Sequence, residues 1–274
     1  MMELDDIKKH WNENAKRNTT SVYSTTKTPT IKRIEVDTFY RAILDLSNNI
    51  KEERLLEVGC GNGHNLFGLK QLLPNLRLQG VDYSEDMISA AKKINDEQYN
   101  SEIEFSVADA LKIPDEKLKR QTYDFVITNR MLINLNSWTL QQEALRNAVE
   151  LLTPHGSLLI IENFMNSYAN QNKLRELIGL PSRSPDSYNK FLDEKLFEQF
   201  VTEELELAIL KKDNFASLHD VLLYVLLPHI NSGATPYDHP LMNSVTELLI
   251  NLPDDCSGSF GNFGQNNLYI LKRK

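Results

Sequence analysis

The chain has 274 residues, 41% of them hydrophobic and 25% charged, the make-up of a globular fold able to bury a full core. A net charge of −8 gives no general field for nucleic-acid phosphates, and two cysteines supply neither a disulfide framework nor zinc-ligand spacing. No apolar run approaches the ~18 residues of a membrane span, and the polar opening residues are unlike a secretory leader. The expectation is a cytoplasmic monomer or homodimer with no nucleic-acid or membrane partner.

In chain order, residues 1–30 are polar, with turn formers in "NTTSVYSTTKTPT" and no periodicity. Ile34, Phe39, Ile43, Leu44 and Leu46 then share a helical face. From Leu55 the pattern alternates, with strands expected at 54–58, 76–81, 103–107, 123–128 and 157–162. Helix-period segments separate them: one after the glycines at 59–63, one opening at the N-cap Ser84, one from about Ser137 to Leu152. Strand and helix alternate five times, which argues for a doubly wound, mostly parallel sheet. Farther on, helical patterns around 168–179 and 193–203 flank the Ser/Pro-rich "LPSRSPDSYN". A sixth strand is expected at 205–210, an apolar helix at "ASLHDVLLYVLL", then a long loop region, and a closing strand at "NLYILK". The expected organisation is an N-terminal helical lid (1–49), an α/β domain (50–212 with 266–274) and a cap insertion (213–265).

The stretch "RLLEVGCGNGHNL" joins a strand to a helix through Gly59, Gly61 and Gly63. A dinucleotide fingerprint would have glycine at 64, and the chain has His64. Glu57, two residues before the first glycine, would repel a pyrophosphate and suit a cationic ligand. Asp82 ends the next strand, where a carboxylate accepts both hydroxyls of a ribose, although an acid there could also simply cap the helix. Asp109 and Ala110 follow the third strand, near where an adenine amino group would lie. Ribose, adenine and a positive centre without phosphate describe S-adenosylmethionine.

The stretches "LLEVGCGNG", "GVDYSEDMISAAKK", "VADALKIP", "YDFVITNRMLINL" and "LLTPHGSLLIIEN", in that order, resemble the class I S-adenosylmethionine-dependent methyltransferases over roughly residues 50–165. The resemblance implies a Rossmann-like seven-stranded sheet and S-adenosylmethionine as cofactor, with S-adenosylhomocysteine as product. It places Gly59, Gly61 and Gly63 at the methionine portion, with Glu57 and Cys60 in the same turn. Asp82 would hold the ribose, Asp109 and Ala110 the adenine, Tyr83 and Met87 the adenine face, and Asn129 would lie near the sulfonium. Trp11, Tyr23 and Lys32 would fold over the cofactor. His155 departs from the second glycine many members carry at that turn.

The acceptor is narrowed by exclusion. "NRML" stands where base-methylating enzymes carry (N/D)PP(Y/F), and no acidic cluster marks a metal-dependent catechol-type site. A small polar molecule, neutral or anionic, remains, held by Arg130, Asn163, His239 and the 213–265 cap, with His229 or Glu162 as the general base for a hydroxyl. Similarity to bacterial enzymes that O-methylate sugars or sugar nucleotides points to a carbohydrate. An N-methyltransferase, an enzyme acting on protein or tRNA, and a non-catalytic S-adenosylmethionine-binding module stay open. No metal is expected.

Overall fold

A computed structural model describes residues 2–50, 52–114, 118, 121–253, 256 and 259–274. The elements run α1 (Leu4–Asn18), α2 (Pro29–Leu46), β1 (Arg54–Val58), α3 (His64–Leu72), β2 (Arg77–Asp82), α4 (Glu85–Gln98), β3 (Glu104–Val107) and β4 (Tyr123–Asn129). They continue with α5 (Trp138–Glu150), β5 (Leu152–Asn163), α6 (Met165–Leu177), α7 (Glu194–Gln199), β6 (Leu207–Asp213), α8 (Ser217–Val221), α9 (Leu227–Ile230), α10 (Pro240–Ile250) and β7 (Asn266–Arg273).

The strands form one sheet in the order β3-β2-β1-β4-β5-β7-β6. Strands β1 to β5 pair in parallel, and β7 lies antiparallel between β5 and β6. The two-residue period of the strands divides the core between the sheet's faces. Phe125, Ile127, Leu159, Ile161, Leu268 and Ile270 pack with Ile34, Phe39 and Ile43 of α2 and with α3 and α4. The intervening Val126, Leu158, Ile160, Tyr269 and Leu271 pack on the other face with Ala144, Leu145 and Ala148 of α5 and with Phe197 of α7. Such strands are apolar on both sides, as a parallel sheet covered by helices requires.

Strand order reverses between β1 and β4, so a crevice opens beyond their carboxyl ends, where open α/β sheets bind ligands. Glu57 and Val58 end β1, Asp82 ends β2, Asn129 ends β4 and Asn163 ends β5. The helices are started by side chains at their caps. The Ser84 hydroxyl accepts from the Met87 N–H at 3.1 Å and the Ser137 hydroxyl from the Leu140 N–H at 3.3 Å.

Two helices were not expected where they occur. Residues 4–18 form α1, whose inward side carries Leu4, Ile7, Trp11 and Ala15 among charged neighbours. Pro240 opens α10 inside the stretch expected to be loop. The sixth strand begins two residues later than expected and runs on to Asp213. The apolar helix from Ser217 to Ile230 is continuous, with a π-helical turn at Leu222–Leu226 joining α8 to α9.

Candidate active site

Gly59 and Cys60 donate their N–H groups to the Val81 carbonyl at 2.8 and 3.0 Å, so the turn after β1 is fastened to the end of β2. Gly59 (φ 77°) and Gly61 (φ 54°) both lie in the left-handed region. A Cβ on Gly59 would fall 2.2 Å from the Met131 side chain, and one on Gly61 would fall 2.8 Å from Thr25 Cγ2. Gly63 caps α3, and Cys60 is buried, its thiol pushed up by burial and by the charges of Asp82 and Glu57.

The Asp82 carboxylate accepts from the Gly61 N–H through one oxygen (2.8 Å) and from the Ser84 N–H through the other (2.9 Å). It therefore holds the glycine turn against the start of α4 while facing the cavity. Burial raises its pKa against these bonds. Glu57 is buried, takes a 2.6 Å hydrogen bond from Asn65 through Oε1, and leaves Oε2 with no partner. Burial pushes its carboxyl up to about 8, despite that hydrogen bond and the nearby charge of Lys32.

At the tip of β4, Asn129 and Arg130 meet a group not singled out in the sequence. Glu35 of α2 is wholly buried and pairs with Lys32 Nζ (2.9 Å) and Arg130 Nε (3.0 Å). It also accepts from Asn129 (2.8 Å) and Asn266 (3.1 Å). Burial alone would raise its pKa; Arg130 and Lys32 outweigh that and hold it below the usual carboxylate range. Two cations share one carboxylate, and Arg130 sits at φ 53°, so the β4 tip is a tightly determined, electropositive corner. The sequence signal was present: Ile31, Glu35 and Phe39 are four apart, so the acid lies on the apolar face of α2.

One cavity of about 1310 Å³ runs along these strand tips. Glu57, Gly59, Cys60, Gly61, Asp82, Tyr83, Met87, Asp109, Ala110, Asn129, Arg130 and Asn163 all line it, as do Trp11, Tyr23 and Lys32; Gly63 does not. His10, Trp11 and Tyr188 form a ring cluster on its wall, His10 stacking on Tyr188 at 4.3 Å between centroids. Tyr168, Arg183, Phe191, Tyr224 and Tyr237 continue the wall from α6, the loop after it and the segment 214–265. Most of this end comes from the Ser/Pro-rich loop, which carried no residue marked as a site in the sequence.

The N-terminal segment closes over both ends. Trp11 Nε1 donates to Asn134 Oδ1 (3.1 Å), the Ser84 hydroxyl to Asn12 (2.5 Å), and Asn62 to the carbonyls of Thr19 (3.3 Å) and Ser21 (2.9 Å). Tyr23 reaches Asp238 at 3.3 Å and Lys27 reaches Asp186 at 3.6 Å.

The expected bases and His239 are not brought to the cavity. Glu162 is fully buried beside it, with Oε1 accepting from the N–H groups of Met131 and Leu132, both at 2.9 Å, and from the Thr128 hydroxyl at 3.3 Å. It splints the turn after β4, and burial pushes its carboxyl to about 7 against those bonds. His229 is exposed at the end of α9. His239 caps α10, its Nδ1 accepting from the Leu241 N–H at 3.2 Å. Asn163 lines the cavity but donates its amide to Asn266. Among the described residues no group of three or more His, Cys, Asp or Glu could hold a metal, and no helix is long and apolar enough to cross a membrane.

Comparison with known proteins adds the family. Residues 49–215 match the model of a methyltransferase domain family. An uncharacterised protein of Rickettsia prowazekii (strain Madrid E) is 27% identical over 197 residues, covering 67% of this chain and 76% of that one. A malonyl-[acyl-carrier protein] O-methyltransferase of Bacillus cereus is 30% identical over 128 residues, 45% of this chain and 44% of its own length. Among solved structures, the plantazolicin methyltransferase in complex with a triazolic desmethylPZN analog and S-adenosylhomocysteine superposes with a TM-score of 0.58 at 17% identity, covering 99% of this chain and 98% of that one. Magnesium protoporphyrin IX methyltransferase from Synechocystis PCC 6803, with bound S-adenosylmethionine, gives 0.60 at 13% identity, covering 100% and 98%. With the matched domain, the strand order and the glycine turn in agreement, the chain belongs to the methyltransferase domain family and is a class I S-adenosylmethionine-dependent methyltransferase.

Proposed function

We propose that the chain transfers a methyl group from S-adenosylmethionine to an oxygen of a small acceptor, the two held at opposite ends of the one cavity. The observation that carries this reading is the pairing of ends. Backbone, Asp82, Tyr83 and Asp109 face one end, and an aromatic wall with Arg183 faces the other. Its volume of about 1310 Å³ exceeds the roughly 300–1,000 Å³ typical of a pocket for one small ligand. On this reading residues 50–212 with 266–274 carry the cofactor, 1–49 close over it, and the cap 213–265 contributes Tyr224, Tyr237 and Gln265 to the acceptor end.

The residues suit the cofactor. Glu57 Oε2 and Asn129 Oδ1 are buried oxygens with no hydrogen-bond partner among the described residues, open to a positive centre. Asp82 keeps lone pairs for ribose hydroxyls beyond its two backbone bonds. Tyr83 and Met87 would lie against the adenine, with Asp109 and Ala110 at its edge. S-adenosylmethionine supplies an electrophilic methyl on a sulfonium. The protein's part is to exclude water and hold the acceptor oxygen in line, which is worth ~7–11 kcal/mol. Since neither Glu162 nor His229 reaches the cavity, positioning carries this chemistry without them. Transfer to oxygen is supported by the Bacillus cereus relative, an O-methyltransferase by name. The carbohydrate reading draws no such support, and a sugar nucleotide retains a place only through its charged diphosphate.

Titration calorimetry with S-adenosylhomocysteine, NAD and ATP tests the cofactor end. S-adenosylhomocysteine should bind, and Asp82→Asn should weaken it more than about tenfold, since a hydrogen bond to a charged group contributes ~1.5–3 kcal/mol. Unchanged affinity in that variant would reject the ribose role of Asp82. A panel of small carboxylates, phosphates and sugar nucleotides, read by release of S-adenosylhomocysteine, tests the acceptor.

A further inference from the structure

At the acceptor end of the cavity, as read above, two arginines stand without an ion-pair partner among the described residues. Arg175 of α6 is 4% exposed, donates from Nε to the Pro181 carbonyl at 2.8 Å, and donates from Nη1 to the Tyr224 carbonyl. Arg183, in the loop that follows, donates from Nη1 to the Gln171 side-chain oxygen at 2.7 Å. Its guanidinium lies 3.7 Å from the centre of the Tyr224 ring and 5.4 Å from that of Tyr168. Every one of these partners is neutral, and neither arginine is ion-paired among the described residues. Burial lowers the pKa of Arg175, and the charge of Arg183 lowers it further.

The neighbouring acids are already engaged. Asp186, on the same wall, pairs with Lys27 (3.6 Å) and accepts from the Tyr188 hydroxyl (2.9 Å). Asp220, behind Tyr224, is taken by His219 and by the Gln265 N–H, both at 2.9 Å. Arg175 and Arg183 thus stand close together without a carboxylate partner among the described residues, in a chain of net charge −8.

A second, independent sign lies beside it. Tyr168 is 2% exposed, lines the cavity, and its hydroxyl has no hydrogen-bond partner among the described residues. A buried donor without an acceptor costs free energy unless a ligand supplies one.

We propose that the Tyr168 hydroxyl and the Arg183 guanidinium, backed by Arg175, receive an anionic oxygen group of the acceptor, a carboxylate or phosphate, whose apolar body packs on the aromatic wall. A guanidinium fixed by a ring and an amide is poised for a charge-assisted bond, and the tyrosine adds direction. The inference rests on the acceptor end being where the methyl acceptor sits.

The test is calorimetric titration of the full chain, with and without saturating S-adenosylhomocysteine, using 2-naphthoate, 2-naphthyl phosphate and neutral 2-naphthamide. At least one anion should bind about tenfold or more tighter than the amide. Arg183→Gln and Tyr168→Phe should each weaken that anion about tenfold, leaving S-adenosylhomocysteine and amide affinities in place. Tyr168→Phe removes one unpartnered oxygen and Arg183 is half-buried, so thermal melts should show both variants folded. The tighter of the two anions identifies the group. Equal binding of amide and anions, anion affinity unmoved in both variants, or no anion binding at millimolar concentration would each overturn the proposal. Failure of S-adenosylhomocysteine to bind would instead strike the cofactor assignment, and the titrations without it keep the two failures apart.

Discussion

On the proposed assignment, Glu57 should link cofactor binding to a proton. Burial pushes its carboxyl to about 8 in the protein alone, so at pH 7 about nine molecules in ten hold that proton. A positive centre brought to the unpartnered Oε2 favours the carboxylate and expels the proton. Binding of S-adenosylmethionine at pH 7 should therefore release up to about 0.9 proton, and affinity should rise up to tenfold per pH unit before flattening near pH 8. Calorimetry in two buffers of different ionisation heat counts the released protons. The ammonium of the cofactor titrates alike with any variant, so the difference between wild type and Glu57→Gln isolates this residue. Glutamine has no proton to give, and loss of the charge-assisted contact, ~1.5–3 kcal/mol, should weaken binding about tenfold or more above pH 8. Stability follows the same linkage. The folded pKa is raised from 4.5 to about 8, so the stabilisation is complete below 4.5 and is lost as pH rises through 8. Glu57→Gln should flatten the fall of Tm across that window. Equal proton release by wild type and Glu57→Gln would refute the reasoning.

Glu162→Gln should lower stability by about 1–3 kcal/mol in a thermal melt, because its amide nitrogen would face a buried backbone N–H that now donates to a carboxyl oxygen. Turnover per folded molecule should stay within a few-fold; abolished turnover with an unchanged melt would restore Glu162 as the base. Gly61→Ala should weaken S-adenosylhomocysteine about tenfold or more and speed proteolysis within residues 19–28, since its Cβ would meet Thr25 at a positive φ. An unaltered digestion pattern and affinity would show that neither lid nor cofactor touches the turn.

The glycine turn and its tie to Asp82 were legible because they are local. A left-handed turn needs glycine, Asp82 closes the next strand, and both lie within a few residues of a strong period-two pattern around Leu55 and Val81. The acceptor end was not, because its parts meet only after folding. Tyr168, Arg183, Tyr188 and Tyr224 sit on three different segments, and none carries a spacing that marks it alone. Glu162 shows the converse failure. An acid at a strand tip facing a crevice reads as catalytic, yet three backbone N–H groups of the following turn claim it. Helix α1 was missed for a thermodynamic reason: with charged residues dominating it, its folding depends on docking Ile7 and Trp11, which no local propensity reports.

Glu35 decides which part of the N-terminal segment can move. Its carboxylate holds Lys32 of its own helix, Arg130 and Asn129 at the tip of β4, and Asn266 at the start of β7. Withdrawing α2 would carry Glu35 and Lys32 away together and strand Arg130 without that carboxylate, and removing one partner of a buried pair costs about 3–5 kcal/mol. Helix α1 is held by packing rather than by a buried ion set: Ile7 is buried, His10 and Trp11 meet the Tyr188 ring, Trp11 donates to Asn134 and Asn12 accepts from Ser84, while its Lys16–Asp86 pair is largely exposed and worth at most ~1 kcal/mol. Ligand entry that required the whole segment to swing away would therefore oppose the strongest ion set around the site. Entry that lifts only α1 and the turn after it would leave the Glu35 set intact and open the cavity, because Trp11, Tyr23 and Thr25 line it and all precede Pro29. On that route the Glu35 carboxylate would keep α2 and the β4 tip together while the residues before Pro29 move.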